Sequence, residues 1–457
     1  MILLCRFSRE RRGLSGADGF EASRLQEARM NMKKTNVLVF PGGTEIALEI
    51  WRALKDAKDV RLYSASIAVS NHAPYVFARH FTVPSVHEQN WIEELNRVIA
   101  GQSIDYVFPA HDDAVIALAE NANRIDARII SSPVRTCRIA RLKSRTYETL
   151  RDVVPVPRVF GDPGMIDRYP IFVKPDKGQG SQGVHIAYDR GQVDRLLLED
   201  DGYLVTEYLP GEEITVDCFS DRDRGLLFCQ GRQRTRTRSG ISVHSITVHD
   251  KLFGEYARAI SARIAFHGAW FFQLKKDREG IFKLLEVAPR IAGTMALHRV
   301  KGVNFALLSI YEQERIPLTI LENSVDVEID RALVNRYSHQ VKYSAVYVDF
   351  DDTLILQDRV NTSLVAFLYQ CINEGIRLVL LTKHAGDVKQ SLRQYRLSDV
   401  FDDIIHLEQI ASKADYIVEP DAILIDDSFS ERKAVSETLG ILTFDSSMIE
   451  MLIDERT

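Results

Sequence analysis

Residues 171–188, IFVKPDKGQGSQGVHIAY, place a glycine-rich loop between two short runs rich in apolar residues. Gly178, Gly180 and Gly183 satisfy the spacing G-x-G-x-x-G, but a dinucleotide-binding fingerprint needs a helix directly after the glycines. Here the loop is followed by VHIAY, which alternates as a strand does. The stretch therefore predicts a hairpin whose glycines let backbone N–H groups approach phosphate oxygens closely.

Two side chains of this hairpin bear on the phosphate interpretation. Lys174 lies on the incoming strand and would supply a point charge, and Ser181 in the loop would add a hydroxyl donor. A mobile hairpin without any ligand stays an alternative when the loop is taken alone. The choice between the two depends on the segments that follow.

Further acidic residues follow at the ends of predicted strands. TEYLPGEEITVD (206–217) places Glu207 before a Pro-Gly turn and Glu213 after it. WFFQLKKDREGIFKLLEVAPRIAGTM (270–295) predicts two strands around a turn, with Gln273 and Glu286 placed where adjacent side chains could share one Mg²⁺ ion. Arg290 follows and could fork onto a carboxylate or phosphate oxygen.

In this order, four features resemble the ATP-grasp superfamily, and within it enzymes similar to carbamoyl phosphate synthase: Lys143, the Lys174 hairpin, TEYLPGEEITVD and LLEVAPRIAGT (284–294). The resemblance covers roughly Val37 to Asn335. It implies an enzyme that activates a small-molecule carboxylate with ATP as an acyl phosphate, which an amine or another nucleophile then attacks. Arg290 would belong to the catalytic residues.

The resemblance also implies ligands for each part of Mg·ATP, with Mn²⁺ as an alternative metal. Gln273 and Glu286 would hold the metal. The nucleotide would be bound by the phosphate-facing residues Lys143, Lys174, Gly180, Ser181 and Gly183, by Glu207, Tyr208 and Leu209 around the adenine, and by Glu213 at the ribose.

One departure from the family pattern leaves two alternatives. The usual motif is E-x-N-P-R, whereas this chain has Ala288 between Glu286 and Arg290, so one oxygen ligand is missing. The segment is then either a ligase with a thin metal shell or a nucleotide-binding, catalytically weak module that serves the C-terminal part. We favour the ligase because Lys174, Glu286 and Arg290 are all present.

A row of arginines lies between these features. In RQRTRTR (232–238) every second residue is Arg, so on a strand the four would face one side. A charged edge strand and a row that faces phosphate or an anionic substrate are equally good explanations.

A second constellation lies in the last quarter of the chain. AVYVDFDDTL (345–354) fits D-x-D-x-T after a buried strand, and clustered acids at that point need a positive charge. Later apolar strands end at Thr382 and at Asp426, and Lys413 lies between them. Because parallel strands end at one edge of a sheet, these groups are expected to meet there.

This set resembles the haloacid dehalogenase (HAD) superfamily of phosphohydrolases, over about Tyr343 to the C-terminus. Asp349 would attack phosphorus, Asp351 would move the leaving-group proton, and Thr382 and Lys413 would hold phosphoryl oxygens. The Mg²⁺ ligands would come from Asp349, Asp351, Asp426 and Asp427. The spacing leaves no room for a cap domain, which predicts an open site for a phosphate ester.

Length and composition limit the number of domains and the class of protein. The 457 residues predict about three domains, and the net charge of −6 argues against a nucleic-acid-coating protein. No apolar run reaches a membrane span of about 18 residues. Five scattered cysteines indicate a reducing compartment, so a cytoplasmic protein is expected. A homodimer stays open.

The predicted fold is a multidomain α/β and α+β protein. Strands alternate with helices from Thr35 onward, which predicts a Rossmann-like parallel sheet. The domains are residues 1–33 (a disordered tail, or an upstream start with the true start at Met30 or Met32), 34–132 (pre-ATP-grasp), 133–338 (ATP-grasp) and 342–457 (HAD-like, a doubly wound parallel sheet without a cap insertion).

Overall fold

The computed structural model describes residues 34–178, 182–200, 202–238 and 240–456. The predicted tail of residues 1–33 and the predicted phosphate contacts of Gly180 and Ser181 lie outside the described residues. The chain divides into a first unit that extends to Ala332 and a second unit from Leu333 to Arg456. The predicted domain 34–132 and the predicted domain 133–338, as far as Ala332, thus share one unit. The boundary expected between residues 338 and 342 stays a prediction.

The first unit begins with a parallel five-stranded sheet in the order β3-β2-β1-β4-β5. Its strands are β1 (Thr35–Phe40), β2 (Val60–Ser66), β3 (His80–Thr82), β4 (Tyr106–Pro109) and β5 (Arg128–Ile129). The helices that follow or connect them are α1 (Glu45–Leu54), α2 (Trp91–Gln102), α3 (Asp112–Glu120), α4 (Val134–Arg141) and α5 (Lys143–Leu150). The alternation read from the sequence is confirmed.

Both faces of this sheet are covered. Val37 and Val39 of β1 pack in one apolar cluster with α1, and Leu38 and Phe40 pack in another with α2. The glycines of the β1–α1 turn are explained by packing: a Cβ on Gly42 would lie 2.7 Å from the Ser64 Cβ. The turn therefore needs a residue without a side chain at this point, because the chain approaches β2 closely.

The glycine-rich stretch forms the predicted hairpin. In an antiparallel sheet of order β7-β6-β8, the strands are β6 (Ile171–Pro175), β7 (His185–Ala187) and β8 (Tyr203–Glu207), and α6 (Arg190–Glu199) connects the last two. Ile171 pairs with Ala187, so the two strands around the loop lie side by side. Lys174 is thereby fixed close to where the loop begins.

A six-stranded antiparallel sheet completes the first unit, in the order β13-β12-β9-β10-β11-β14. Its strands are β9 (Glu213–Asp221), β10 (Gly225–Arg238), β11 (Ile241–Val248), β12 (Gly268–Lys276), β13 (Phe282–Ala288) and β14 (Glu328–Asp330). The accompanying helices are α7 (Lys251–Arg263), α8 (Ala296–Arg299) and α9 (Phe305–Gln313). Gln273 of β12 is the register partner of Glu286 of β13, which confirms their predicted adjacency.

The second unit contains a parallel sheet in the order β19-β18-β15-β20-β21. Its strands are β15 (Ala345–Val348), β18 (Arg377–Thr382), β19 (Asp403–His406), β20 (Ile423–Ile425) and β21 (Leu442–Phe444), with a small hairpin of β16 (Ile355–Leu356) and β17 (Arg359–Val360). The helices are α10 (Thr362–Glu374), α11 (Val388–Tyr395) and α12 (Phe429–Leu439).

Successive residues of β15 pack on opposite faces of this sheet. Val346 and Val348 lie in the cluster that contains α10, whereas Ala345 and Tyr347 lie in the cluster that contains Val435 of α12. The sheet is therefore buried on both faces, as predicted for a doubly wound arrangement. Short hairpins, helices and loops fill the segments between its strands. Across the described part of the chain, no helix is long and apolar enough to cross a membrane.

Candidate active sites

A cleft of about 380 Å³ in the first unit lies between the hairpin sheet and the six-stranded sheet. It brings together predicted residues that are up to 143 positions apart in the chain. The predicted residues that line it are Lys143, Lys174, Glu207, Tyr208, Leu209, Glu213, Gln273 and Glu286. Gly183 lies beside Pro175 with a φ of +66°, where glycine is favoured, and it shapes the turn next to the cleft.

Lys174 is almost fully buried in the wall of this cleft. Its Nζ donates a hydrogen bond of 2.7 Å to the Tyr147 hydroxyl, which donates to the Leu285 carbonyl oxygen at 2.7 Å. Burial and then the nearby charge of Lys143 lower the pKa of Lys174 to about 7. An anion bound here would offset both effects, as the phosphate interpretation requires.

Lys143 is held at the mouth of the glycine-rich loop. Its Nζ donates to the carbonyl oxygens of Pro175 and Gly178 at 3.3 and 3.2 Å. Burial lowers the pKa of this lysine too, although Glu286 and Asp176 act in the opposite direction. The two lysines thus concentrate positive charge at the end of β6.

The residues predicted to bind adenine and ribose lie where β8 is joined to β9. Glu207 accepts a hydrogen bond of 2.8 Å from the Arg158 backbone N–H, and Leu209 is buried. Glu213 pairs with Arg234, and Lys275 lies 3.7 Å from it. This carboxylate therefore already has cationic partners, so a ribose hydroxyl would share it with them.

The arginine row of β10 does not form one anion-binding face. Arg232 is buried against Asp217 with Nε–Oδ2 of 2.7 Å, Arg234 pairs with Glu213, and Arg236 pairs with Asp330. The edge-strand explanation fails at Arg232, where β10 pairs with both β9 and β11, whereas from Arg234 onward β10 pairs with β11 alone. Register shifts around Arg236 break the alternation, so only part of the phosphate-facing explanation survives: Arg234 lines the cleft.

The two predicted metal ligands, Gln273 and Glu286, are adjacent in the wall of the cleft. Burial and then the negative charge of Asp112 raise the pKa of Glu286, so a cation at this point would relieve an unfavourable charge. The Gln273 Oε1 accepts from Arg234 at 3.3 Å. Carboxylate and amide oxygens suit Mg²⁺, so this pair fits the metal. Ala288 is buried and adds no oxygen.

Arg290 makes a two-point ion pair with Asp112, a residue that the sequence analysis missed. Nε–Oδ1 is 2.6 Å and Nη2–Oδ2 is 2.8 Å. Burial raises the pKa of Asp112, but the Arg290 charge outweighs it and holds the pKa below its ordinary value. The only sequence signal for Asp112 is its position as an acid in the first turn of a helix. This signal does not indicate that Arg290 is its partner.

A second pocket of about 310 Å³ continues from the cleft. Gln273, Glu286 and Arg234 line both spaces, so a molecule in one would meet a molecule in the other at these side chains. Arg290 and Arg331 add further positive charge to the second pocket. Arg331, which no sequence motif singles out, pairs with Glu45 of α1.

The second unit gathers its predicted groups at the carboxyl end of its sheet. Lys413 Nζ lies 2.6 Å from Asp349 Oδ1 and 2.5 Å from Asp426 Oδ2, and all three side chains are buried. The Thr382 side chain opposes the rise that burial causes in the pKa of Asp349, so it lies beside the same carboxylate. The predicted meeting of β15, β18 and β20 at this edge is thus present.

Three carboxylates of this edge can share a cation. Oxygens of Asp349, Asp426 and Asp427 all lie within 4.8 Å of one another, the one such group found among the described residues. Burial raises the pKa of Asp349 to about 6 although Lys413 opposes it. Mg²⁺ prefers oxygen ligands such as these carboxylates, and its charge would offset the cost of burying them in ionised form. The Asp351 carboxylate is turned instead toward His384, which the sequence analysis missed.

Comparison with known proteins supports the interpretation of the first unit. Residues 199–331 match a family model described as ATP-grasp in the biosynthetic pathway with Ter operon. The chain is 28% identical over 182 residues to the carbamoyl phosphate synthase large chain of Clostridium botulinum. That match covers 36% of this chain and 17% of the relative, so the chain spans less than a fifth of that relative.

Two solved structures share the fold. An ATP-analogue complex of biotin carboxylase from Campylobacter jejuni aligns with a TM-score of 0.52 and 16% identity, over 63% of this chain and 72% of that one. The carboxyaminoimidazole ribonucleotide synthase of Aspergillus clavatus, complexed with ATP, aligns with a TM-score of 0.51 and 16% identity, over 63% and 78%. The aligned 63% of this chain is much longer than the second unit, Leu333–Arg456, so most of the structural similarity lies in the first unit.

Proposed function

Since the first unit is similar in fold to ATP-grasp enzymes, we propose that it is an ATP-dependent ligase that joins a small-molecule carboxylate to an amine. The observation that carries this proposal is the cleft in which Lys143, Lys174 and Glu286 converge and which opens at Gln273 into a second pocket. One space would hold the nucleotide, and the other would hold the carboxylate.

The side chains of the cleft divide the binding of ATP among them. Lys143 and Lys174 hold phosphate oxygens, and Lys174 gains a proton when the phosphate arrives because its pKa is low in the free protein. Leu209 and Phe172 line the apolar part of the cleft, where adenine fits. Glu213 lies within reach of the ribose hydroxyls. Mg²⁺, with Mn²⁺ as an alternative, would sit at Gln273 and Glu286 and neutralise phosphate charge.

The proposed reaction has two steps. A carboxylate oxygen of the substrate attacks the γ-phosphorus, and the bond to the β-phosphate oxygen breaks, which yields an acyl phosphate and ADP. The amine then attacks the acyl carbon, loses a proton and expels inorganic phosphate. Arg234 and Arg290 line the pocket and orient the anionic groups of both steps, and Asp112 fixes Arg290.

ADP release over a panel of carboxylic and amino acids, with hydroxylamine as a general amine, tests this function. Hydroxylamine converts an acyl phosphate into a hydroxamate, so the natural amine need not be known. The wild type is expected to form ADP and hydroxamate with at least one acid, and Lys174→Ala is expected to lose both. Lys58→Ala, whose side chain is exposed, serves as the matched control and keeps the activity.

A second candidate is a nucleotide-binding module that turns over weakly and serves the second unit. Ala288 favours it because a buried alanine stands where the family pattern offers an oxygen ligand. The same assay separates the two candidates. ATP binding without ADP or hydroxamate from any acid of the panel would favour the module.

For the second unit we propose a Mg²⁺-dependent phosphohydrolase of the HAD type. Asp349 attacks the phosphorus of a phosphate ester while Asp351 gives a proton to the leaving oxygen, which forms an aspartyl phosphate and an alcohol. Water then attacks this phosphorus, gives its proton to Asp351 and releases phosphate from Asp349. Lys413 and Thr382 hold the phosphoryl oxygens. Asp349, Asp426 and Asp427 would hold the metal, which neutralises phosphoryl charge.

Two further expectations are part of this proposal, a cytoplasmic location and substrates that are small molecules rather than nucleic acid, while the choice between a monomer and a homodimer stays open. Light scattering on the full chain distinguishes these two states. A mass of one chain at micromolar concentration would exclude the dimer.

A further inference from the structure

We propose that His384 is a positioning residue for Asp351, which it holds away from the metal-binding carboxylates and aimed at the leaving oxygen. This inference rests on the phosphohydrolase proposed for the second unit. His384 follows Thr382 by two residues, beyond the end of β18, and no motif in the sequence singled it out.

The contact between the two side chains is close and symmetric. His384 Nδ1 lies 3.0 Å from Asp351 Oδ1 and 2.9 Å from Oδ2. A carboxylate can only accept, so Nδ1 carries the proton and donates it. About half of the Asp351 side chain is exposed (54%), whereas the His384 side chain is 18% exposed. The histidine is therefore the fixed partner and the aspartate the one that needs fixing.

The imidazole ring is itself held on its other sides. Ser391 Oγ of α11 lies 3.0 Å from Nε2, which accepts the hydroxyl proton when Nδ1 is protonated. The Phe350 ring packs against the imidazole with centroids 4.8 Å apart. Backbone contacts fix the same residue: its N–H donates to Thr382 Oγ1 at 3.2 Å, and its carbonyl accepts from His406 Nε2 at 2.6 Å.

The arrangement separates two uses of carboxylates at one strand end. Asp349, Asp426 and Asp427 have oxygens within 4.8 Å of one another and are grouped to share a cation. Asp351, two residues after Asp349, would be drawn to the same cation if its side chain turned freely. The hydrogen bond from His384 keeps it out of that group and available for proton transfer.

The test compares His384→Leu with His384→Asn in the full chain. Leu and Asn both branch at Cγ, but only Asn can donate a hydrogen bond toward Asp351. Both variants are assayed with Mg²⁺ on a series of substituted phenyl phosphates that differ in leaving-group acidity. A correctly placed acid matters most for the poorest leaving groups.

For His384→Leu, kcat/KM on phenyl phosphate is expected to fall by roughly 100-fold, and on para-nitrophenyl phosphate by less than about 5-fold. The expected KM change is small. His384→Asn should recover most of the loss on phenyl phosphate. Ser391→Ala, which frees the far side of the ring, should show the same pattern in weaker form and keeps the test available if the leucine variant fails to fold.

Two outcomes would overturn the inference, and they are distinguishable. An equal loss on every ester, with no recovery in His384→Asn, would mean that His384 only supports the fold, while the phosphohydrolase itself would stand. No Mg²⁺-dependent hydrolysis of any ester by the wild type would overturn the proposed phosphohydrolase and the role of His384 with it.

Discussion

Arg290, just beyond the end of β13, and Asp112, in the first turn of α3, form a two-point ion pair although 178 residues separate them in the chain. The pair joins the parallel sheet region to the six-stranded sheet within the first unit. It also fixes a guanidinium at the wall of the proposed carboxylate pocket. One contact therefore supports both the fold and the site.

Removal of the acid should cost more stability than an ordinary surface ion pair. Asp112→Ala leaves a largely buried guanidinium without its partner, so the free energy of unfolding should fall by about 2 to 4 kcal/mol. Urea unfolding followed by tryptophan fluorescence measures this selectively, because Trp51, Trp91 and Trp270 all lie in the first unit.

The matched control is on the same helix. Glu120→Ala breaks the exposed pair with Arg138 and should cost less than about 1 kcal/mol. In Asp112→Ala combined with Arg290→Met, the loss should be smaller than the sum of the single losses. Additive losses would contradict the coupling assigned to this pair.

Local signals in the sequence predicted part of this site well. The hairpin around the glycines and the adjacency of Gln273 and Glu286 depend on strands that are neighbours in sequence, so a turn sets their pairing. The strand ends at Asp349, Thr382 and Asp426 could be aligned because parallel strands end at a common edge.

Contacts between residues that are distant in the chain could not be predicted from the sequence. No sequence pattern around Asp112 indicates that Arg290 is its partner, and none around Asp351 indicates His384. The arginine row shows the same limit. Alternation predicted one face, but β10 pairs with β9 only as far as Gln233 and with β11 beyond it, and each of Arg232, Arg234 and Arg236 has its own carboxylate. Burial and partners come from the sheet order, which the period of a single strand does not reveal.

ATP binding should take up a proton at pH 8. Burial and the charge of Lys143 lower the pKa of Lys174 to about 7, so the free lysine is mostly neutral at that pH. A bound phosphate restores the charged form, with an uptake approaching about one proton. Calorimetric titrations in buffers of different ionisation enthalpy measure the uptake, and Lys174→Met should lose it. Equal uptake in both proteins would contradict the assignment.

The same lysine should make stability depend on pH without any ligand. Its pKa is about 7 in the folded chain and about 10.4 when unfolded, so between these values the unfolded state binds the extra proton. The contribution of Lys174 to the free energy of unfolding of the first unit should therefore increase as the pH rises from about 7 to about 10. Lys174→Met should flatten this part of the profile, measured by tryptophan fluorescence.

Asp349→Asn should abolish phosphate-ester hydrolysis and leave nucleotide binding unchanged. The amide keeps the shape of the side chain but removes the anion proposed to attack phosphorus. Hydrolysis of para-nitrophenyl phosphate with Mg²⁺ should fall by at least about 1,000-fold. Near-wild-type turnover in this variant would contradict the role of Asp349. ATP affinity serves as the control because Asp349 lies in the second unit.

The second unit should fold by itself. A fragment of residues 343–457 contains its whole sheet and both apolar clusters, and a cooperative melt is expected by circular dichroism. A fragment of residues 333–457 adds hydrogen bonds from Arg336 to Glu455 and from Tyr337 to Glu450. These are exposed, so the gain should be below about 1 kcal/mol. A non-cooperative melt of the longer fragment would contradict independence.

The affinity of the full chain for Mg·ATP, measured by calorimetry, tests the central claim most directly. Lys174→Ala combined with Glu286→Ala removes one phosphate ligand and one metal ligand from the cleft, and Lys58→Ala combined with Glu93→Ala changes two exposed side chains of the same types. We predict that the wild type and the control pair bind Mg·ATP equally, and that the cleft variant binds at least about 30-fold more weakly. Equal affinity in all three proteins would show that ATP is not bound between the hairpin and β13.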